Sequence, residues 1–158
     1  MAPWQVIFHV VPHRAMAKAP RVLDAGIVST TEWWSDGTGT RELREKLGAL
    51  IGPPSRTSPT VESWGTADGN GVDVHLSNAG ITRIIAHVDV RKLDPKFGAA
   101  LLGFARSMQS VLVRADGWVA EPTVGGYSAA LRGDPAWAQA NEPAPMRIAD
   151  GALDDDED

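Results

Sequence analysis

Residues 61–91 read VESWGTADGNGVDVHLSNAGITRIIAHVDVR, and the fold is decided there. Apolar and polar residues alternate through 71–77 and 81–91, the period of half-buried strands. Residues 61–66 supply a third strand, and Ala67-Asp68-Gly69-Asn70 and Asn78-Ala79-Gly80 place turn formers between the three. Parity constrains the second hairpin. Val72, Val74 and Leu76 must share a face with Ile84, Ala86 and Val88 if both strands bury their apolar side. A two-residue turn would pair Val74 with Arg83 and mix the faces. A three-residue loop over Asn78–Gly80 pairs Val74 with Ile84 and His75 with Arg83, with Gly80 as the positive-φ residue. The first hairpin stays open: an Asp68-Gly69 turn pairs Ser63 with Val74, and a loop ending at Asn70 pairs Trp64 with it.

Downstream, Asp94-Pro95 opens a helix, Asp as the N-cap and Pro at the first helical position. Phe97, Leu101, Phe104 and Met108 form its apolar stripe. Residues 110–113 and 118–121 make a last hairpin around Ala115-Asp116-Gly117. Thr123 then caps a helix with the stripe Val124, Tyr127 and Leu131, and Asp134-Pro135 starts a short turn carrying Trp137. Upstream, residues 4–11 are a buried strand ending at Pro12, and 22–31 read as a second strand with Leu23, Ile27 and Val28 apolar. Trp33 to Gly39 is a turn bearing two indoles. Thr40 caps a helix with Leu43, Leu47, Leu50 and Ile51 on one stripe, stopped by Gly52-Pro53-Pro54. The expectation is an α+β domain over residues 1–140. It has a mostly antiparallel sheet of about five to seven strands and two or three helices on one face.

The 158 residues carry a net charge of −5, from 15 Lys+Arg against 20 Asp+Glu. Asp154, Asp155, Asp156, Glu157 and Asp158 supply all of it, since 20 less 5 leaves 15 acids against 15 bases. A neutral body with an acidic end, read as a disordered tail over 141–158, excludes the basic surplus of a nucleic-acid binder. No cysteine is present, which removes disulfides, thiolate metal sites and cysteine nucleophiles. No apolar run approaches the ~18 residues that span a bilayer, and Met1-Ala2-Pro3-Trp4 is not the start of a secretory signal. A cytoplasmic protein without membrane contact is the expectation.

Chemistry-bearing residues collect on one face of the meander. The outward face of the long strand reads Arg83, Ile85, His87, Asp89 and Arg91, with His75 across from Arg83 and Asp73 beside Ile85. Two histidines with Asp73 are a ligand set for a metal, and His75, His87 and Asp89 are candidates for acid–base work. The same pattern also reads as a solvated face with cross-strand ion pairs. His9 points to this side of its own strand. Gly126-Tyr127-Ser128-Ala129-Ala130 falls short of a nucleophile elbow, because Tyr127 belongs to a helical stripe. Asp68 to Asp73 fits a tight hairpin better than a calcium loop, and Gly37-Thr38-Gly39 lacks the Lys-Ser/Thr of a phosphate loop. No cofactor is implied.

Trp4, Trp64 and Trp118 read as core residues of strands. Trp33 and Trp34, in a Gly/Ser/Asp/Thr context, read either as interface anchors or as covers for the helix and sheet edge. The acidic residues 154–158 read as a solubilising end or as a means of meeting a basic protein partner. The layout from Val61 to Leu131 resembles small bacterial α+β proteins suspected of immunity, or toxin-antagonist, function. Trp64-Gly65, Asp68-Gly69-Asn70, Val88-Asp89-Val90-Arg91, Phe97, Leu101-Leu102, Ala105-Arg106, Gly117 and Pro122 carry that resemblance. It implies a non-enzymatic protein that occludes a partner. A small metal-dependent or acid–base enzyme on the His/Asp face is the alternative, and an oligomerising structural or phage-type protein is a third. Oligomeric state is not readable from these residues.

Overall fold

The computed structural model describes residues 2–35 and 40–141. Its elements run β1 (Gln5–Pro12), α1 (His13–Met16), α2 (Ala25–Thr30), α3 (Thr40–Leu50), β2 (Arg56–Thr57), β3 (Val61–Gly65), β4 (Gly71–Ser77) and β5 (Gly80–Asp89). They continue through α4 (Pro95–Ser107), β6 (Ser110–Arg114), β7 (Val119–Ala120), α5 (Val124–Arg132) and α6 (Pro135–Asn141). The strands form one open antiparallel sheet of seven, in the order β2-β3-β4-β5-β1-β6-β7. The class is α+β, with six helical segments among the described residues. None of these helices is long and apolar enough to cross a membrane.

The second hairpin keeps its expected pairs, Val74 with Ile84, His75 with Arg83 and Asp73 with Ile85. It reaches them by another route. Asn78-Ala79 alone form the loop, with Ser77 opposite Gly80, and a register shift between His75 and Leu76 restores the parity. Neither register expected for the first hairpin occurs. A five-residue loop, 66–70, sets Trp64 opposite Val72 and Glu62 opposite Val74. Glu62 thus lies buried on the apolar face, where Arg44 of α3 meets it, Nε donating to Oε1 at 2.8 Å and Nη2 to Oε2. An unpaired carboxylate in that position would carry a large desolvation cost.

Val6, Phe8 and Val10 of β1 lie beside Val88, Ala86 and Leu112 on one face. Helices α3, α4 and α5 cover it. Leu43, Leu47, Leu101, Phe104 and Leu131 reach the core, and Tyr127 meets Phe8 with ring centroids 5.9 Å apart. The helix starts follow from local chemistry: Asp94 accepts from the amides of Lys96 and Phe97, and Thr123 accepts from that of Gly126. α3 ends at Gly52, whose φ is +106°.

Residues 22–31 are not a strand. Asp24 accepts from the Ile27 amide at 2.8 Å and caps α2 instead. Residues 13–35 return over the opposite face of the sheet. Arg83, which points to that face, donates to the Thr31 and Thr30 carbonyls at the end of α2, and Val11, Val28 and Val113 are fully buried. Here β1 and β5 part: β1 pairs with β5 only over 5–9 and with β6 over 8–12. Trp34 fills the split. Its amide donates to the Thr82 carbonyl at 3.1 Å and its indole N–H to the Val10 carbonyl at 2.6 Å.

Candidate functional site

The face parity expected for the polar residues is present, yet the groups divide into three clusters with different partners. At the first, the His87 ring lies over Gly71, its cross-strand neighbour. A Cβ at 71 would stand 2.6 Å from His87 Cε1, so only glycine admits the ring. His87 Nδ1 is 3.1 Å from the Gly69 carbonyl. Gln5 Nε2 spends its two protons on the carbonyls of Ala67 (3.0 Å) and Gly69 (2.8 Å). His87 Nδ1 also lies 3.2 Å from Gln5 Nε2, and His87 Nε2 lies 3.8 Å from Asp73 Oδ2. Asp73 accepts from Ser63 Oγ at 2.7 Å. The resulting order is Ser–Asp–His, whereas activation of a serine needs the histidine between serine and carboxylate. A depression of about 270 Å³ lies above, lined by Ile7, Arg56, Asp73 and His87 among others.

The second cluster is His9, His75 and Arg83. His9 is buried, and its Nδ1 has no hydrogen-bond partner among the described residues. Burial first, then the charges of Arg83 and His75, lowers its pKa to about 4. Burial also lowers that of His75, against the raising influence of Asp73. Both rings are neutral at pH 7. Among the described residues no three His, Asp or Glu side chains are grouped to hold a metal, so His75, His87 and Asp73 do not converge as ligands.

The third is Asp89. Arg91 holds it bidentately, Nε to Oδ1 at 3.0 Å and Nη2 to Oδ2 at 2.7 Å, which lowers the carboxyl's pKa. The same guanidinium stacks over the Trp4 ring at 4.0 Å, and Trp4 Nε1 donates to the Asp68 carbonyl. Asn70 Oδ1 accepts from the Asp89 amide. Gln5, His87, Trp4 and Asn70 together tie the 66–70 loop to the sheet, so most of this polar face is spent on structure.

Of the two readings of Trp33 and Trp34 the structure takes the covering one, whereas Trp118 reverses its expectation. Trp33 and Trp34 are both buried, Trp34 to 1% exposure, and neither ring is offered to a partner. Trp118, expected in the core, is 54% exposed. β7 comprises only two residues, so its pairing stops before anything covers the ring. Arg114 lies beneath it, 5.4 Å from the ring centroid, and braces the hairpin. Nε and Nη2 grip the Asp116 carboxylate at 2.9 and 2.7 Å, and Nη1 donates to the Ala130 carbonyl of α5 at 2.6 Å. Gly117, at φ +100°, backs onto the Leu23 carbonyl with no room for a side chain. Val119, paired with Val113, is 42% exposed on the other face of the sheet. The signal available in the sequence was the shortness of the apolar run after Asp116-Gly117.

Asp154, Asp155, Asp156, Glu157 and Asp158 lie outside the described residues. In comparisons with known proteins, no family model, no curated protein and no solved structure matches the chain significantly.

Proposed function

We propose that this protein is a non-enzymatic protein-binding protein, an antagonist of the immunity type acting in the cytoplasm, and that it meets its partner through the β6–β7 hairpin. The observation that carries the reading is Trp118, exposed on a turn that Arg114 locks to α5. Tryptophan is a favoured interface anchor, and an anchor already held in place costs less entropy to dock. β7 leaves the outer edge of the sheet unpaired among the described residues. An extended segment of a protein partner fits such an edge better than a nucleic acid, which would ask for a basic surface. Residues 154–158 would add electrostatic attraction toward a basic partner and raise the rate of encounter.

The enzyme alternative has less support: no three-ligand cluster is present among the described residues, and Ser63 is bonded to the Asp73 carboxylate. Co-purification with crosslinking from the native host tests the proposal. The expected result is a defined partner captured by the wild type and lost with Trp118→Ala. Recovery only as a lone monomer, or equal capture by that variant, would overturn it.

A further inference from the structure

A second feature, independent of the hairpin, lies where α4, α5 and α6 meet. Leu102 and Leu131 form the floor of a cleft of about 340 Å³. Above them Leu93, Val124 and Trp137 leave apolar surface in contact with solvent, Val124 being 76% exposed. An apolar cavity of about 150 Å³ holds one benzene ring, so this cleft matches a body of about two rings.

Two hydroxyls reach the cleft. Tyr127 packs its ring between Phe8 and α4, where Gly98 makes the room: a Cβ there would stand 3.2 Å from Tyr127 Cε2. The Tyr127 hydroxyl makes no hydrogen bond to any described residue, and burial together with Asp94 pushes its pKa up to about 12. It therefore stays a neutral O–H at physiological pH, able to donate to or accept from a ligand. Ser128, next on α5, also lines the cleft and its Oγ has no protein partner among the described residues.

The charges at the rim decide the ligand's charge. Asp94 and Arg132 are of opposite sign, so the cleft has no net field to draw an ion. Each is also engaged: Asp94 Oδ1 caps α4, and the Arg132 guanidinium lies 5.9 Å from the Trp137 ring centroid. We propose that this cleft is a binding site for an uncharged, largely apolar small molecule of about two fused rings bearing one hydrogen-bonding group, which the Tyr127 hydroxyl anchors.

Titration of the full chain with 2-naphthol and with indole, followed by NMR or calorimetry, tests the site. One-to-one saturable binding below about 1 mM is expected, with naphthalene-2-sulfonate at least tenfold weaker. Tyr127→Phe keeps the ring and should weaken 2-naphthol about tenfold, the worth of one hydrogen bond. Ser128→Phe fills the cleft and should abolish binding. Val124→Arg, at an exposed position that leaves the core untouched, should do so too by closing the mouth. The proposal fails if neither probe saturates by about 2 mM. It fails equally if the blocked variants bind as the wild type does, or if the sulfonate binds as tightly as 2-naphthol.

Discussion

Trp34 and Trp118 are the same side chain used in opposite ways. Trp34 stands where two strands part, and it satisfies an open carbonyl on each while excluding water from the split. Trp118 stands on a turn braced from beneath by a buried arginine, with more than half its surface in solvent. Burial follows what the neighbouring backbone lacks, and the local residue types around each indole do not report it.

The largest expected effect breaks this contrast at its buried end. Trp34→Ala should cost about 3–5 kcal/mol, since it removes a large core side chain and orphans the Val10 carbonyl. A denaturant melt reads this directly, and a loss under about 1 kcal/mol would show that the wedge is not holding the split.

His9 precedes the residue whose carbonyl Trp34 takes, and its effect is through pH. The unfolded chain takes up the imidazole proton near 6.5 and the folded one near 4. The unfolded state therefore binds more protons between those values, and stability falls as pH drops through that window. The loss is on the order of 3 kcal/mol, with His75 acting in the same direction. Melts at several pH values should show the slope in the wild type and a shallower one in His9→Gln; parallel slopes would rule out His9 as its source.

At the exposed end the effects shrink. Arg114→Met keeps the stem but removes the guanidinium donors to Asp116 and the Ala130 carbonyl, a cost of about 2 kcal/mol. Hydrogen exchange over 115–120 should rise with it, and unchanged protection there would mean the brace is idle. Trp118→Ala should change stability by less than about 0.5 kcal/mol. A loss comparable to that at Trp34 would place Trp118 among the residues that hold the fold together.

The sheet's centre was legible because alternation and parity are local properties: His75 beside Arg83 and Asp73 beside Ile85 follow from which residues must be buried. The first hairpin was not. Its loop is five residues long because Gln5, Trp4 and His87, all distant in sequence, hold the 66–70 carbonyls. α2 departs from its residue types for a related reason. Ile27, Val28, Thr30 and Thr31 favour strands by type, but the Asp24 cap and the Arg83 contact to its last carbonyls favour a helix. The polar face could be drawn from the sequence, but the partners that consume it could not. The Tyr127–Gly98 contact joins two helices; Tyr127 stands in its own apolar stripe, but Gly98 lies off the stripe of α4 and does not announce the pairing.

β1 sits near the middle of the sheet although it lies at the N-terminal end of the sequence. Gln5 waits for Asp89, and Val11 for Val111. On a ribosome this segment, Gln5-Val6-Ile7-Phe8-His9-Val10-Val11, emerges well before β5 and β6, the two strands it must pair with. The β3–β5 meander can close on itself before β6 exists, so β1, made earlier than both its neighbours, is among the last of these strands to be fully paired. Until then it is an unpaired template for other chains, and the yield of folded protein depends on how long that interval lasts.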